Sequence, residues 1–396
     1  MKILTSFMMI AVMFQNLFVL PSDTSGFDYL GEELYCESIL MVDAETGETI
    51  YSQNSDSVLS IASITKIMTF IVAVENIPDI ENTYITFSSE VTQILSGTGC
   101  WTASIKSGEQ FTVLDYLKML LVTSAGDAGV QLALYYDELN GYSSDFSGYI
   151  DGSDSRAFIM EDSLFVDLMN EKAQELGCVN TNFTNPTGLY HEDNYSTAED
   201  VAIFTEYAFS LPYFSDIVCL SEFELPATNL SSARTITTSN ALLSSSLYDG
   251  MYTYEYATGI KTGRLTDAGN CLVSSASKDG REYIVVCLGA EISSTKNDSA
   301  GDAIKLYEWV FNEFSEATLI EEGDFVTNID LENNYTTTEI EVTAGETAVS
   351  YLPNDFNVAS ISIQIEIYED ISAPISANDV VGVASFVYND YVFWNS

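Results

Sequence analysis

Two short motifs in this chain carry the residue types needed for nucleophilic catalysis. Ser63 and Lys66 lie three residues apart at the start of an apolar stretch, residues 63–74, that is typical of a buried helix. Residues three apart on a helix share a face, so the Lys66 amine can reach the Ser63 hydroxyl. Serine is a poor nucleophile until a base removes its proton. The pair could therefore perform acyl transfer, with Ser63 as the nucleophile and Lys66 as the base.

The second motif is the triplet Lys261, Thr262 and Gly263. A lysine acts as a base only when it is neutral, and both desolvation and a nearby cation lower its pKa. Lys261 is the natural second cation, and its other expected role is to bind a substrate carboxylate. Thr262 can donate a hydroxyl to the same carboxylate, and Gly263 would let the substrate backbone lie against the strand edge.

Each motif alone is weak evidence. The Ser-x-x-Lys spacing also occurs at Ser275 and Lys278, which run into a predicted hairpin turn, and at Ser293 and Lys296, which lie in a polar loop. Ser63 by itself could be only a helix cap, and Lys-Thr-Gly only a turn. The single histidine, at position 191, leaves a Ser-His-Asp triad one possible member and excludes a multi-histidine metal site. No metal or organic cofactor is implied.

The elements around these motifs predict an α+β domain. Residues 271–277 and 282–289 read as two strands joined at Asp279-Gly280, directly after the triplet. Residues 140–162 are rich in Gly, Ser and Asp and read as an inserted acidic loop. After residue 322 the pattern changes to short β-rich runs, which suggests a separate small domain. The remaining predictions are strands at 36–42 and 49–52 and helices within 111–136 (broken at 123–127), 163–176, 197–211 and 303–314.

Composition and charge restrict the class of protein. The 396 residues include 59 acidic and 13 Lys or Arg side chains, with a formal charge of −46, so binding to nucleic acid or to anionic lipid is not expected. Residues 1–25 have the layout of a secretory signal peptide, and a membrane contact is expected only if this segment stays uncleaved. The six cysteines permit disulfides in an exported chain, but buried free thiols fit equally well.

Five segments along the chain form a set that can be compared with known families. They are the opening strands ILMVDAETGETIYSQN (residues 39–54), IASITKIMT (61–69), NPTGLY (185–190), YSTAEDVA (195–202) and GIKTGRLTDAGNCLVSSA (259–276). Together they resemble the low-molecular-mass penicillin-binding proteins, which are serine-type D-alanyl-D-alanine carboxypeptidases, over about residues 35–315. The resemblance implies a β-lactamase/transpeptidase-like fold, an antiparallel sheet flanked by helices with an all-helical subregion, followed by a small all-β domain.

The resemblance also implies roles by position. Ser63 would be acylated, and the backbone N–H groups of Ser63 and Arg264 would stabilise the oxyanion. Ser124 would be the serine of the family's second motif and would relay a proton to the leaving amine. Arg234 stands where the family often has a carboxylate-binding arginine, although it could equally be a surface residue. The implied partners are peptidoglycan stem peptides as substrates and β-lactams as covalent inhibitors.

The second motif departs from the family pattern. The family usually has Ser-x-Asn, whereas this chain has Ser124, Ala125 and Gly126. Glycine cannot supply the carboxamide that would hold the substrate amide and the lysine. Asp127 could substitute, although a capping role fits it better, or water could fill the gap.

We therefore expect an exported enzyme with a signal peptide (residues 1–25), a serine carboxypeptidase domain (26–320) and a C-terminal β-rich domain (321–396). Its reaction would remove the terminal D-alanine of stem peptides at the outer face of the cytoplasmic membrane or outside the cell. Two rivals remain. One is a β-lactamase or esterase on the same scaffold, and the other is a weakly active penicillin-sensing or wall-binding protein that lacks the second-motif Asn.

Overall fold

The computed structural model describes residues 33–142, 160, 162–332, 337–368, 379–388 and 391–395. The predicted signal peptide and most of the predicted acidic loop lie outside these residues. The α-helices are α1 Lys66–Asn76, α2 Ser89–Ile94, α3 Val113–Val122, α4 Gly126–Leu139, α5 Leu164–Glu175, α6 Ala198–Phe209, α7 Phe214–Val218 and α8 Asp298–Glu313. The strands are β1 Ser38–Asp43, β2 Thr49–Gln53, β3 Tyr84–Thr86, β4 Gln110–Thr112, β5 Glu222–Leu225, β6 Arg234–Thr237, β7 Ala257–Leu265, β8 Gly269–Lys278, β9 Arg281–Ala290, β10 Phe314–Ile320, β11 Phe325–Glu332, β12 Thr337–Thr343, β13 Ala348–Pro353, β14 Ser362–Ile367, β15 Gly382–Tyr388 and β16 Tyr391–Asn395.

The central sheet has five antiparallel strands in the order β2-β1-β9-β8-β7. Strands β8 and β9 form the predicted hairpin, with Lys278 paired to Arg281 across a two-residue turn. Asp279 and Gly280 in this turn both have positive φ, 53° and 82°. This is the backbone of a type I′ turn, whose twist matches that of the flanking strands. The triplet motif lies on β7, at the edge of the sheet.

The two faces of the sheet bury two separate cores. Alternate residues of β8 and β9 belong to different clusters, with Cys271 in one and Cys287 in the other. The first cluster packs under helices α1, α3, α4 and α6, and the second packs under α8. The two-residue turn thus places the two thiols on opposite faces. All six cysteines are free.

Helix α1 is buried almost all round, and every residue from Lys66 to Ala73 is buried. A helix that is apolar on all sides belongs in the middle of a domain, and α1 contacts α3, α4, α5 and α6. Helix α3 begins with a capping box formed by Thr112 and Asp115 and ends at Val122. Because α4 begins at Gly126, the break predicted at residues 123–127 corresponds to a tight turn at residues 123–125 between α3 and α4.

The C-terminal region is β-rich, as expected. Its strands pair as β10 with β13, β11 with β12, and β14-β15-β16. The predicted domain boundary after residue 320 falls at the end of β10, a strand that pairs within this C-terminal region. Ala348, Leu352 and Phe386 from this region pack into the second core with α8. No helix of the described residues is both long and apolar enough to cross a bilayer.

Candidate active site

Ser63 lies in a short 3₁₀ turn, Ala62–Thr65, immediately before α1. Its neighbour Ala62 has a φ of 46°, a conformation that residues with a Cβ seldom adopt. The turn is held from outside by Gly188, where an added Cβ would lie 1.8 Å from the Ala62 carbonyl oxygen and 2.9 Å from the Ser63 nitrogen. Only glycine allows the two backbones to approach so closely. The Ser63 side chain itself remains partly exposed.

Lys66 is the first residue of α1, and its side chain is only 1% exposed. Its Nζ lies 2.8 Å from Ser63 Oγ and donates to the Thr187 carbonyl oxygen at 2.6 Å. Burial lowers the pKa of Lys66 to about 8, although the Cys100 and Asp127 side chains act in the opposite direction. A lysine with this pKa is neutral often enough near neutral pH to accept a proton from the serine.

The loop of residues 185–189, the first five residues of the NPTGLY segment, fixes the position of the carbonyl group that accepts a hydrogen bond from Lys66. The Asn185 side-chain oxygen accepts hydrogen bonds from the backbone N–H groups of Thr187 and Gly188, at 3.0 and 2.9 Å. Its amide nitrogen donates to the Leu189 carbonyl at 3.0 Å. Asn185 is fully buried, so this network specifies the loop conformation. The loop in turn directs the Thr187 carbonyl toward the amine of Lys66.

Ser124 occupies the turn between α3 and α4 and also has positive φ, 64°. Its side chain is partly exposed. The adjacent backbone is tied to the triplet strand through one residue: Ser239 N–H donates to the Val122 carbonyl at 3.0 Å, and Ser239 Oγ lies 2.7 Å from Thr262 Oγ1. The second motif is therefore held beside the Lys-Thr-Gly strand. Two motif serines, at 63 and 124, thus lie on or beside strained backbone, a feature common at functional sites.

The space expected to be empty at Gly126 is filled by a residue from another segment. A Cβ built on Gly126 would lie 2.1 Å from Cys100 Sγ. Neither water nor Asp127 needs to occupy this position. Asp127 is 3% exposed, and its Oδ1 accepts from the N–H groups of Ala103 and Ala128 at 3.0 and 3.1 Å. Asp127 is thus engaged by backbone rather than standing in for the absent carboxamide.

Lys261 lies on β7 and is 1% exposed. Burial, reinforced by the positive charge of Lys66, lowers the pKa of Lys261 well below its usual value. Burial, rather than the expected charge of Lys261, is what lowers the pKa of Lys66. Lys261 Nζ donates to the Thr262 carbonyl at 2.7 Å.

Gly263 brings the triplet strand against the nucleophile turn. A Cβ at this position would lie 2.9 Å from the Ile61 carbonyl oxygen and 3.2 Å from Ala62 Cβ. The structure therefore brings Ser63, Lys66 and the Lys-Thr-Gly strand together, where the helical region meets the edge of the sheet. Ser124 lies in the turn two residues after Val122, which is tied to the same strand through Ser239, and we expect an active-site cleft between these elements.

The remaining candidates have other partners. Arg234 Nη1 lies 3.4 Å from Oε1 of the fully buried Glu109, and its guanidinium stacks over the Phe111 ring. Its role in binding a carboxylate remains a prediction. The exposed Arg264 side chain donates to the Ser293 carbonyl at 3.5 Å, and the role of its backbone N–H in stabilising an oxyanion remains a prediction. His191 is 9% exposed and accepts a hydrogen bond from the Asp193 N–H, which fits a structural role.

The other two Ser-x-x-Lys matches do not form catalytic pairs. Ser275 lies on β8 and bonds to Thr258, while Lys278 lies over the Tyr256 ring. Ser293 Oγ accepts from the backbone N–H of Lys296 rather than from its amine. Within the described residues, no group of three or more His, Cys, Asp or Glu side chains could hold a metal ion.

Two features of the site were not identified from the sequence. Cys100 had no motif around it, and its approach to Gly126 depends on the path of a loop. The acceptor for Lys66 is a backbone carbonyl, and a carbonyl has no sequence signature. The NPTGLY segment was recognised as part of a family, but its contact with Lys66 was not inferred.

The comparisons with known proteins agree with this geometry. The family model described as D-alanyl-D-alanine carboxypeptidase matches residues 28–148 and 161–292. The gap between the two matched segments falls within the predicted inserted loop. Relatives include the D-alanyl-D-alanine carboxypeptidase DacF of Bacillus subtilis, 28% identical over 87% of this chain and 80% of its own length. Another is a D-alanyl-D-alanine endopeptidase of Pseudomonas aeruginosa, 28% identical over 71% of this chain and 79% of its own length.

Solved structures show the same fold. Penicillin binding protein 5 from Haemophilus influenzae superposes with a TM-score of 0.66 at 22% identity, covering 93% of this chain and 97% of its own. A mutant of the Streptomyces K15 DD-transpeptidase superposes with a TM-score of 0.60 at 26% identity, covering 71% of this chain and 99% of its own. The predicted α+β, transpeptidase-like fold is thereby confirmed. The chain belongs to the D-alanyl-D-alanine carboxypeptidase family of serine peptidases, the low-molecular-mass penicillin-binding proteins.

Proposed function

We propose that this protein is a serine-type D-alanyl-D-alanine carboxypeptidase that removes the terminal D-alanine of peptidoglycan stem peptides through an acyl-enzyme on Ser63. The observation that carries the proposal is the pair formed by Ser63 Oγ and the buried amine of Lys66, 2.8 Å apart. The lowered pKa of Lys66, about 8, leaves roughly a tenth of the enzyme with a neutral amine at pH 7. With an unshifted lysine this fraction would be more than a hundred times smaller.

In the acylation step the neutral Lys66 amine accepts the Ser63 proton as the oxygen attacks the carbonyl carbon of the penultimate D-alanine. The N–H groups of Ser63 and Arg264 stabilise the oxyanion. Collapse of the tetrahedral intermediate breaks the peptide bond, and Ser124 relays a proton to the departing amine of D-alanine. Water then hydrolyses the ester and returns the serine. A β-lactam would acylate the same oxygen.

Substrate recognition follows from the triplet. The buried amine of Lys261 has no counter-ion among its described contacts, and a substrate carboxylate would supply one. This negative charge would favour the protonated form of Lys261 and so bind the end of the peptide. Thr262 would donate its hydroxyl to the same carboxylate. A free terminal carboxylate distinguishes a carboxypeptidase substrate from an internal cross-link, and for this reason we favour carboxypeptidase over endopeptidase action.

The test is release of D-alanine from a synthetic stem pentapeptide ending in D-Ala-D-Ala, measured beside cleavage of a cross-linked muropeptide dimer. The wild type should release D-alanine from the pentapeptide, and Ser63→Ala should release none. Preferential cleavage of the dimer would replace carboxypeptidase by endopeptidase action. Rapid turnover of a chromogenic cephalosporin without release of D-alanine would favour a β-lactamase. Absence of every reaction would favour a wall-binding protein.

We also propose that the enzyme works outside the cytoplasmic membrane, since residues 1–25 have the pattern of a signal peptide. Fractionation of cells that produce the full chain, and a variant starting at residue 26, tests this. The full chain should reach the exocytoplasmic fraction, whereas the shortened chain should stay in the cytoplasm. Equal distribution of the two chains would contradict export through this segment.

A further inference from the structure

We propose that the Cys100 thiol completes the second motif of this enzyme, by occupying the position of the side chain that Gly126 lacks and by positioning Lys66. The inference rests on the proposed acyl-enzyme function, because its main consequence is a change in the acylation rate. Cys100 is a positioning residue in this scheme, since it acts through Lys66 and not on the substrate.

The Cys100 sulfur overlaps the position that a side chain at residue 126 would occupy. A Cβ on Gly126 would lie 2.1 Å from Cys100 Sγ, whereas its next nearest atoms, the Trp101 carbonyl oxygen and Thr187 Cγ2, are 3.4 and 3.6 Å away. Non-bonded carbon atoms are at optimal separation at about 3.5–4.0 Å, so a distance of 2.1 Å is a clash. A side chain at position 126 therefore requires the Cys100 sulfur to move away. Gly126 and Cys100 form a complementary pair, in which the second motif has no side chain and a neighbouring loop supplies an atom at that position.

The segment that follows Cys100 is held in place against the second motif. Trp101 Nε1 donates to Thr123 Oγ1 at 3.2 Å, before the turn that carries Ser124. The Gly126 N–H donates to the Trp101 carbonyl at 2.8 Å, within the turn. The Ala103 N–H donates to Asp127 Oδ1 at 3.0 Å, after the turn. Three hydrogen bonds thus hold residues 101–103 against the second motif. The position of the adjoining Cys100 is therefore fixed by a well-anchored segment.

Thr187 connects the second motif with Lys66. Its carbonyl oxygen accepts a hydrogen bond from Lys66 Nζ at 2.6 Å, and its Cγ2 lies 3.6 Å from the Cβ position of Gly126, which is the position that the Cys100 sulfur overlaps. Burial raises the pKa of the thiol, and the positive charge of Lys66 acts in the opposite direction. We therefore expect the thiol to restrict the access of water to the Lys66 amine, and this exclusion of water is what makes the amine a usable base.

The pair has a consequence for engineering the site. Gly126→Asn would restore the residue usual in the family, but the new side chain would collide with the sulfur. The substitution alone should therefore damage the enzyme, because overpacking forces neighbouring groups to shift. Combined with Cys100→Ala, which removes the sulfur, the same asparagine would have room. The two substitutions should be strongly non-additive, as expected for residues in contact.

The experiment measures the rate of penicillin acylation from pH 6 to pH 10, by intact-protein mass spectrometry. The variants are Cys100→Ala, Cys100→Ser, Gly126→Asn and the double variant Cys100→Ala with Gly126→Asn. Cys219→Ser is the matched control, because Cys219 is an exposed thiol at the end of α7, outside the cleft. Thermal unfolding of every protein is recorded in parallel.

We expect Cys100→Ala to slow acylation at pH 7 about tenfold and to move the acidic limb of the profile to higher pH, since water then reaches Lys66. Cys100→Ser should retain most of the rate, because it conserves a small polar group. Gly126→Asn should be slower than the double variant. Cys219→Ser should match the wild type. An unchanged rate and pH profile in Cys100→Ala, or equal effects of Gly126→Asn with and without Cys100, would overturn the proposal.

A failure of the proposed function would be recognised separately, as a wild type that forms no penicillin adduct at any pH. In that case the packing claim is still tested by the melting temperatures of Gly126→Ala and of the double variant Cys100→Gly with Gly126→Ala. If Gly126→Ala lowers the melting temperature more in the protein that has Cys100 than in Cys100→Gly, the result supports the pair. An equal decrease in melting temperature in the two backgrounds would refute it.

Discussion

Replacing Lys66 by methionine should abolish acylation and also change how the stability of the protein depends on pH. Methionine has a similar length but no charge. The variant therefore loses the base for Ser63, and it also removes a buried ammonium from the folded state. Two hydrogen bonds are lost with it, to Ser63 Oγ and to the Thr187 carbonyl.

The size of the effect follows from the pKa of Lys66, which burial lowers from 10.5 to about 8. Below pH 8 the folded state carries a penalty of about 3 kcal/mol for holding the charged form. Above pH 8 the folded state releases the proton while the unfolded state still binds it, so stability increases with pH until about 10.5. Between pH 7 and pH 10 the wild type should gain about 2.5 kcal/mol from this group, and Lys66→Met should gain nothing from it.

The assay is urea unfolding of both proteins at pH 7 and at pH 10. Lost hydrogen bonds change the stability of the variant by about 1–3 kcal/mol at both pH values, so they cancel in the difference between the two. The free energy of unfolding of the variant relative to the wild type should therefore fall by about 2.5 kcal/mol from pH 7 to pH 10. Lys106→Met, which alters an exposed lysine, should follow the wild type. A constant difference between Lys66→Met and the wild type would refute the argument that burial sets the pKa of Lys66.

Three further outcomes follow from the same geometry. The rate of penicillin acylation should increase with pH up to about 8 and then level off, because only neutral Lys66 accepts the serine proton; a rate independent of pH from 6 to 9 would contradict this. Gly188→Ala, with its Cβ 1.8 Å from the Ala62 carbonyl and φ at 76°, should lose several kcal/mol of stability and all acylation. The control variant is Gly47→Ala, where φ is 71° but no atom lies within 4 Å of the added Cβ. Its stability, measured by calorimetry, should fall by only about 1–2 kcal/mol. Similar losses of stability in both variants would contradict the close approach of Gly188 to Ala62. Methyl methanethiosulfonate forms a methyl disulfide on a thiol and releases methanesulfinate. It should slow acylation reversibly in the wild type and in Cys219→Ser, but it should not slow acylation in Cys100→Ser. Inhibition that persists in Cys100→Ser would place the sensitive thiol elsewhere.

The sequence alone predicted the parts of this structure that depend on local patterns. The β8–β9 hairpin followed from Asp279-Gly280 between two apolar runs, because these residues tolerate the positive φ that a two-residue turn requires. The pairing of Ser63 with Lys66 followed from helical spacing. The fold class followed from motif resemblance.

Other features depend on contacts between distant segments, and no local pattern reports them. Cys100 reaches Gly126 only because residues 101–103 are fastened across the second motif. Arg234 was expected near the substrate, but the buried carboxylate of Glu109 was not foreseen as its ion-pair partner. Of the two causes expected to lower the pKa of Lys66, burial is found and the charge of Lys261 is not, because the degree of burial of a side chain depends on how distant segments pack around it.

The central claim is that Ser63 is acylated with the help of Lys66. Peptide mapping of the protein after brief exposure to penicillin tests this most directly, with wild type, Ser63→Ala and Lys66→Met compared under the same conditions. The account predicts one penicilloyl group on the peptide that contains Ser63 in the wild type, and none in either variant. A penicilloyl group on any other residue, or one that forms at the wild-type rate in Lys66→Met, would contradict it.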